Sequence, residues 1–417
     1  MCGGTASQRQ LTEAWRTGGV VASPTQHWLA YAAVMRSRTI LGLTMACALC
    51  AVAATVDADE VNDGATPSAA AERLHPPGRT FTVAAVGDFL SEGLVNTQAA
   101  AAAPSGVRYD YEPLLRPIES VVQQADLAIC HMETPVGRPG AKVGFAGTSP
   151  YGTHLIAAAY EAPFDFKRVG FDRCSTASNH ANDLGLAGID STLDALDAAG
   201  LSHTGTARTA AEAVPHPFVV NGVQVAHMSY ARNSNTGFPH DAWRVRQAVT
   251  ATNVINDVAT ARANGAEVVI ISLHVYVEMQ KGPTADDRAL VNQIVAQAHP
   301  NLIVIHGPHV VQPVERVNGT LVFWSVGNLL SGMGASDRGK YADLRTLDGL
   351  LATVRFTQQP DGSWSTEPWT VLLCNVTGSR KVYLGLTTLL DPSISATLRS
   401  QLQACATRAS AVVAELR

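Results

Sequence analysis

Charge is scarce in this chain of 417 residues: Asp, Glu, Lys and Arg together make up 16% of it, against 46% hydrophobic residues. That balance excludes a disordered polyelectrolyte, because there is ample apolar material for a packed core. A basic excess is missing too. The 30 Lys and Arg are outnumbered by 35 Asp and Glu, for a net charge of −5, whereas binding by counterion release needs a cationic surface. Nucleic acid is therefore not an expected partner. The 7 cysteines offer no suitable cluster for a structural zinc site. Length excludes a small stapled scaffold and allows two or three domains, or one large α/β domain with additions.

What is present begins with an address. From Met35 the order is basic (Arg36, Arg38), apolar (Thr39 to Val56) and then acidic (Asp57, Asp59, Glu60), as in a secretory signal or a signal anchor. Residues 1–34 lack the pattern and read as a gene-call extension, or as a cytoplasmic tail if the segment over 35–58 stays in the membrane. Residues 59–79, rich in Ala, Pro and Gly without apolar periodicity, read as a linker. The folded part then divides into a domain over 80–335 and an extension over 336–417, and is expected outside the cytoplasm, secreted or anchored at the cell surface. Export permits disulfides. Cys374 and Cys405 are the expected pair, while Cys130 and Cys174, inside apolar strand-like runs, read as free buried thiols.

Short apolar runs recur at Phe81 to Val86, Asp126 to Cys130, Arg173 to Ala177, Val223 to Met228, Glu267 to Ser272, Leu302 to Ile305 and Leu321 to Val326. Helical patterns lie between several of them. Ile189, Leu193 and Leu196 mark one apolar face ending at Gly200; Val254 and Val258 mark another ending at Gly265; Thr284 with Asp287 opens a third as a capping box. Strands alternating with helices predict an α/β sheet covered on both faces. Beyond residue 335, Leu350 to Phe356, a turn at Pro360-Asp361-Gly362 and Ser363 to Leu372 predict a β-hairpin, and the tail from about Ser393 a helix.

The informative residues follow the strands. Asp88 comes after Val86-Gly87, Glu133 after Cys130-His131-Met132, Asn179 and His180 after Ala177-Ser178, His274 after Ser272-Leu273, and His306 and His309 after Ile305. In an open α/β sheet ligands bind beyond the carboxyl ends of strands, so distant residues converge there. Carboxylate, amide oxygen and imidazole are donors for manganese, iron or zinc. Each residue alone has a plainer reading: Asp88 as a turn residue, Asn179 and His180 as an N-cap region, His274 as a hydrogen-bonded core histidine, His306 and His309 as flanks of a proline turn. An ordered series at successive strand ends favours a shared site. His203, His216, His227, His240 and His299 hold no comparable place and read as structural or solvent-facing, and Asp190, Asp194 and Asp197 as a solvated helix face.

Gly87-Asp88, His131-Met132-Glu133-Thr134-Pro135, Asn179-His180-Ala181-Asn182-Asp183-Leu184-Gly185, Ser272-Leu273-His274, Pro308-His309-Val310-Val311-Gln312 and Gly327-Asn328 together resemble the CapA family of capsule and poly-γ-glutamate biosynthesis proteins, over roughly residues 81 to 332. The resemblance implies a calcineurin-like metallophosphoesterase fold, an α/β/β/α sandwich, here with a C-terminal hairpin and helix extension. It implies one or two divalent ions (Mn, Fe or Zn) held by Asp88, Glu133, Asn179, His274, His306 and His309, with His180 and Asp183 in catalytic roles. His131, Arg138 and Asn328 are candidate substrate contacts, and Lys142 and Lys281 add positive charge near the crevice. Leu90 stands where the superfamily carries a histidine, Glu133 replaces the usual bridging aspartate, and Gly307 a frequent further histidine, which leaves open whether His306 or His309 ligates. The implied activity is metal-dependent hydrolysis or transfer on an anionic extracellular polymer such as poly-γ-glutamate, or on its carrier. A non-catalytic, membrane-tethered scaffold of a synthesis and export complex is the alternative, and a general phosphoesterase a third reading.

Overall fold

The computed structural model describes residues 78–334, 339–414 and 416. The expected extension over 1–34, the leader over 35–58 and nearly all of the linker over 59–79 lie outside the described residues. No helix of the described residues is long and apolar enough to cross a membrane.

Apolar runs without alternation should be strands buried on both faces, and this is what forms. The first half of the chain supplies β1 (Thr80–Phe89), β2 (Leu127–His131), β3 (Gly144–Thr148), β4 (His154–Ala157), β5 (Arg173–Ser175) and β6 (Ser202–Thr204). The second half supplies β7 (Phe218–Val220), β8 (Val223–Ala231), β9 (Val268–His274), β10 (Leu302–His306), β11 (Val314–Val317), β12 (Thr320–Phe323), β13 (Asn328–Leu330), β14 (Asp348–Gln358), β15 (Trp364–Asn375) and β16 (Val382–Leu384). The longer helices are α1 (Gly93–Ala102), α2 (Ala162–Val169), α3 (Gly185–Ala199), α4 (Ala251–Ala263), α5 (Ala285–Ala298) and α6 (Ala396–Ser410).

One sheet runs β16-β15-β14-β1-β2-β5-β6 with β13 also on β1, and a second runs β11-β12-β10-β9-β8-β7; β3 and β4 form a separate hairpin. Successive residues of a strand face opposite sides. Val83, Ala85, Leu127 and Ile129 of the first sheet therefore meet Val268, Ile270, Leu302 and Val304 of the second in a core between them. Their neighbours Ala84, Val86, Ala128 and Cys130 pack on a helical layer containing Phe166, Ile189 and Leu193. Val269, Ile271, Ile303 and Ile305 pack on Val254, Val258, Val291 and Ile294 of α4 and α5. The order of layers is the expected α/β/β/α.

The helices obey their local signals. Gly200 ends α3 in the left-handed region at φ 76, where a residue with a Cβ is strained. Thr284 and Asp287 form the capping box of α5. Asp190, Asp194 and Asp197 face outward on α3 and pair with Arg244 and Arg208.

The C-terminal hairpin is not a surface appendage. β14 pairs antiparallel with β1, placing Phe356 opposite Phe81, and the two rings stack at 4.7 Å. α6 buries Leu402, Cys405 and Ala409 in the core between the sheets, and Cys405 is bonded to Cys374 as expected. The reading of Cys130 and Cys174 as free thiols is corrected. They are disulfide-bonded, with Cα atoms 4.5 Å apart, because β2 and β5 pair in parallel with these two residues as register partners. That separation suits a disulfide.

Candidate metal centre

The register that builds the core also builds the site. Leu127 and Ile129 point between the sheets, so His131 two residues on does the same; Ile270 and Ser272 lead likewise to His274, and Leu302 and Val304 to His306. Pairing sets these ends level: His306 is the register partner of His274, and Asp88 that of both His131 and Asn328. The register shifts between Ala85 and Asp88, where a Cβ on Gly87 would lie 2.0 Å from the carbonyl oxygen of Gly327. Only glycine allows that approach.

Asp88, His131, Glu133 and His274 each offer a donor atom within 4.8 Å of the others, and all four are buried. His131 Nε2 lies 3.0 Å from His274 Nδ1, its Nδ1 meets Ser175 Oγ at 2.7 Å, and its ring stacks on His306 at 3.9 Å. It stands fully buried within the cluster rather than at an opening. His306 Nδ1 lies 3.4 Å and His309 Nδ1 3.1 Å from the carboxylate of Asp88, so both histidines reach the centre. His309 Nε2 is 3.9 Å from Glu133 Oε1. At φ 59 the His309 backbone is in the left-handed region, a strained setting for a residue with a Cβ. Asn328 meets His309 Nδ1 at 3.0 Å and donates to Thr346 O.

The departures from the family pattern have local causes. Gly307 donates its N–H to Asp88 Oδ2 at 3.0 Å. A Cβ there would meet the Tyr276 ring at 2.4 Å, so a histidine at 307 has no room. Leu90 packs with Ile156 and Met333 and offers no donor.

The loop after β5 approaches through Ser178, whose hydroxyl donates to the Glu133 carbonyl at 2.7 Å. Asn179 donates through Nδ2 to Asn235, which leaves its Oδ1 without a partner. His180 Nδ1 lies 2.6 Å from Asp183 Oδ2, and the same oxygen accepts from Ile156 N. Asp183 thus fixes the ring, whose Nε2 lies 3.4 Å from Asn235 Nδ2. Asn235 and Ser178, which orient this loop, carry no sequence signal of their own. Arg138 and Lys142 are exposed on the segment after Glu133, and Lys281 is exposed on the loop after β9.

Electrostatics separate the groups. Burial opposes ionisation of Asp88, yet the imidazoles of His306 and His309 beside it hold it well below the usual carboxylate range. Burial and the neighbouring charge of Asp88 push Glu133 well above that range. Burial pushes His131 and His274 well below the ordinary imidazole value, and of the two His274 keeps an unpartnered nitrogen, Nε2, for coordination. Burial works against protonation of His309 too, but Glu133 and Asp88 outweigh it and push it up to about 10.

The donor set fits a cation. Asp88 Oδ1, both Glu133 oxygens, Asn179 Oδ1, His274 Nε2 and both His306 nitrogens are buried without hydrogen-bond partners. Unsatisfied buried polar atoms are rare and costly, and here they are gathered at one set of strand ends and are of ligand types.

The chain is thus a four-layer α/β sandwich with carboxylates and imidazoles buried at its strand ends. Residues 82–333 match the model of the family described as bacterial capsule synthesis protein PGA_cap, and the chain belongs to that family. It is 26% identical over 204 residues to the PGA biosynthesis protein CapA of Bacillus subtilis (48% of this chain, 51% of that one). It is 25% identical over 188 residues to the capsule biosynthesis protein CapA of Bacillus anthracis (43% and 44%). The chain spans about half the length of the curated relatives it matches. Among solved structures, the calcineurin-like phosphoesterase YfkN of Bacillus subtilis is similar at 12% identity and a TM-score of 0.42 (80% of this chain, 98% of that one).

Proposed function

We propose that this is an exported, metal-dependent hydrolase or transferase acting on an anionic extracellular polymer of the poly-γ-glutamate type, or on its carrier. The observation that carries the reading is the buried group of partnerless ligand atoms from Asp88, Glu133, Asn179, His274 and His306. Family membership supports the pathway. Asp88, Glu133 and His274 would hold one or two divalent ions, Mn, Fe or Zn, with Asn179, His306 and His309 completing the set and His131 beside it. Bound there, the cation supplies Lewis-acid polarisation and lowers the pKa of water toward ~7. His180, held by Asp183 through Nδ1, protonates the leaving group from Nε2. Lys142 and Lys281 favour the approach of a polyanion, and a membrane synthesis and export complex is the assembly in which the chain would work.

The experiment is metal analysis of the full chain purified without chelator, together with turnover of poly-γ-glutamate and of an aryl phosphate by wild type and His274→Ala. Metal in wild type, and turnover lost with it in the variant, supports the reading. Polymer production that survives loss of the metal favours a scaffold, a reading that Leu90 supports because it removes one donor.

A further inference from the structure

A second polar place lies at the open edge of the sandwich, where β6 of one sheet faces β8 of the other under the segment leading into β7. It is a cavity of about 260 Å³ lined by Arg173, His227, Ser229 and Phe218 among others. Arg173 follows from strand register: it is two residues before Ser175 on β5, so it points between the sheets as Ser175 does toward His131.

What surrounds Arg173 is unusual for a cation. Its guanidinium lies over the Phe218 ring at 4.7 Å, and its Nε donates to His227 Nδ1 at 3.3 Å. His227 is buried, and its other nitrogen is taken by Ser272 Oγ at 3.0 Å; burial and Arg173 both push its pKa well down, so it carries no charge. Among the described residues no carboxylate lies within ion-pair distance of Arg173. The two carboxylates on the cavity wall have cations of their own: Glu212 pairs with Arg208, and Asp257 with Arg246. Ser229, 1% exposed, has a hydroxyl with no partner on the same wall. Loss of solvation alone acts on Arg173 and lowers it to about 10.

Arg173 is half-buried, and a guanidinium held partly out of water without a counter-ion is costly, while its planar fork matches carboxylate and phosphate oxygens. We infer that this cavity is a binding site for a small oxyanion, a carboxylate or a phosphate, taken by the free guanidinium nitrogens of Arg173 and the hydroxyl of Ser229. It is separate from the metal centre and stands whether or not the proposed hydrolysis is correct.

The test titrates the full chain with inorganic phosphate and, in a second arm, with glutarate, by calorimetry and by thermal unfolding. A His274→Ala background removes anion binding at the metal centre. The expected result is saturable binding of one anion per chain with a rise in Tm; the tighter of the two identifies phosphate or carboxylate as the chemistry. Arg173→Met should weaken that binding at least tenfold while leaving the anion-free protein as stable or more stable, which a merely structural arginine would not do. Should Arg173→Met fail to fold, Ser229→Ala decides, with an expected loss of at least threefold. Absence of saturable binding by either anion, or binding unchanged in the variant that folds, overturns the proposal.

Discussion

The space between the two sheets has two ends built on one register and satisfied in opposite ways. At one end Val83, Leu127, Ile129, Ile270, Leu302 and Val304 close an apolar core. At the other, a few residues further along the same strands, Asp88, His131, His274 and His306 crowd together with several ligand atoms left without a hydrogen-bond partner. The first end stabilises the protein by removing apolar surface from water. The second costs stability, since buried charges and open lone pairs are unfavourable until something binds them. The contrast teaches that a strand can be scaffold and site at once, with the switch made over one or two inward positions.

The largest effect expected from breaking this contrast is at the polar end. Glu133→Gln should weaken divalent-metal affinity by at least ~100-fold, since losing even an orienting partner of a ligand costs 10–100-fold, while the metal-free protein keeps or gains stability because a buried carboxylate with no hydrogen-bond partner is gone. Competition against a chromophoric chelator and urea unfolding check the two halves. At the apolar end the pattern reverses. Phe356→Ala removes the ring stacked on Phe81 and should cost about 3–5 kcal/mol in urea unfolding, with metal content per folded molecule unchanged.

A smaller effect is expected from Cys405→Ala, which opens the bond to Cys374 across a separation of 31 residues: about 2–4 kcal/mol, seen in oxidised protein and absent when both proteins are reduced. A pH effect sharpens the contrast further, because it arises at the polar end. In metal-stripped protein His309 is raised to about 10 from an unfolded value near ~6.5. The folded state therefore binds the extra proton between those values. Its contribution is complete below ~6.5 and is lost as pH rises through about 10. Glu133, also raised, works in the same direction. Stability of the metal-free chain should fall from pH 7 to 10, and His309→Gln should flatten that fall.

Much of this was legible in the chain itself. The long apolar runs became strands because their near-continuous hydrophobicity requires burial on both faces, and Asp88, Glu133, His274 and His306 stood out because polar residues follow those runs at once. What was not legible depended on pairing. Cys130 and Cys174 lie in runs that look the same whether their thiols meet or not; only the parallel register of β2 and β5 puts them opposite each other. His131 reads from the sequence as a substrate contact, and its place deep in the cluster follows from alternation along β2 once the inner face is known. Arg173 opens a weak three-residue strand, and nothing local shows that it lacks a carboxylate partner. Short edge strands such as β6, β7 and β16 carry too few residues for a periodic signal.

The central claim is that Asp88, Glu133 and His274 share one cation. Anomalous diffraction from crystals of the protein grown with manganese tests it directly. A peak at coordination distance from a carboxylate oxygen of Asp88, a carboxylate oxygen of Glu133 and Nε2 of His274 is the predicted result. Manganese-loaded crystals with no peak among those three side chains would contradict it.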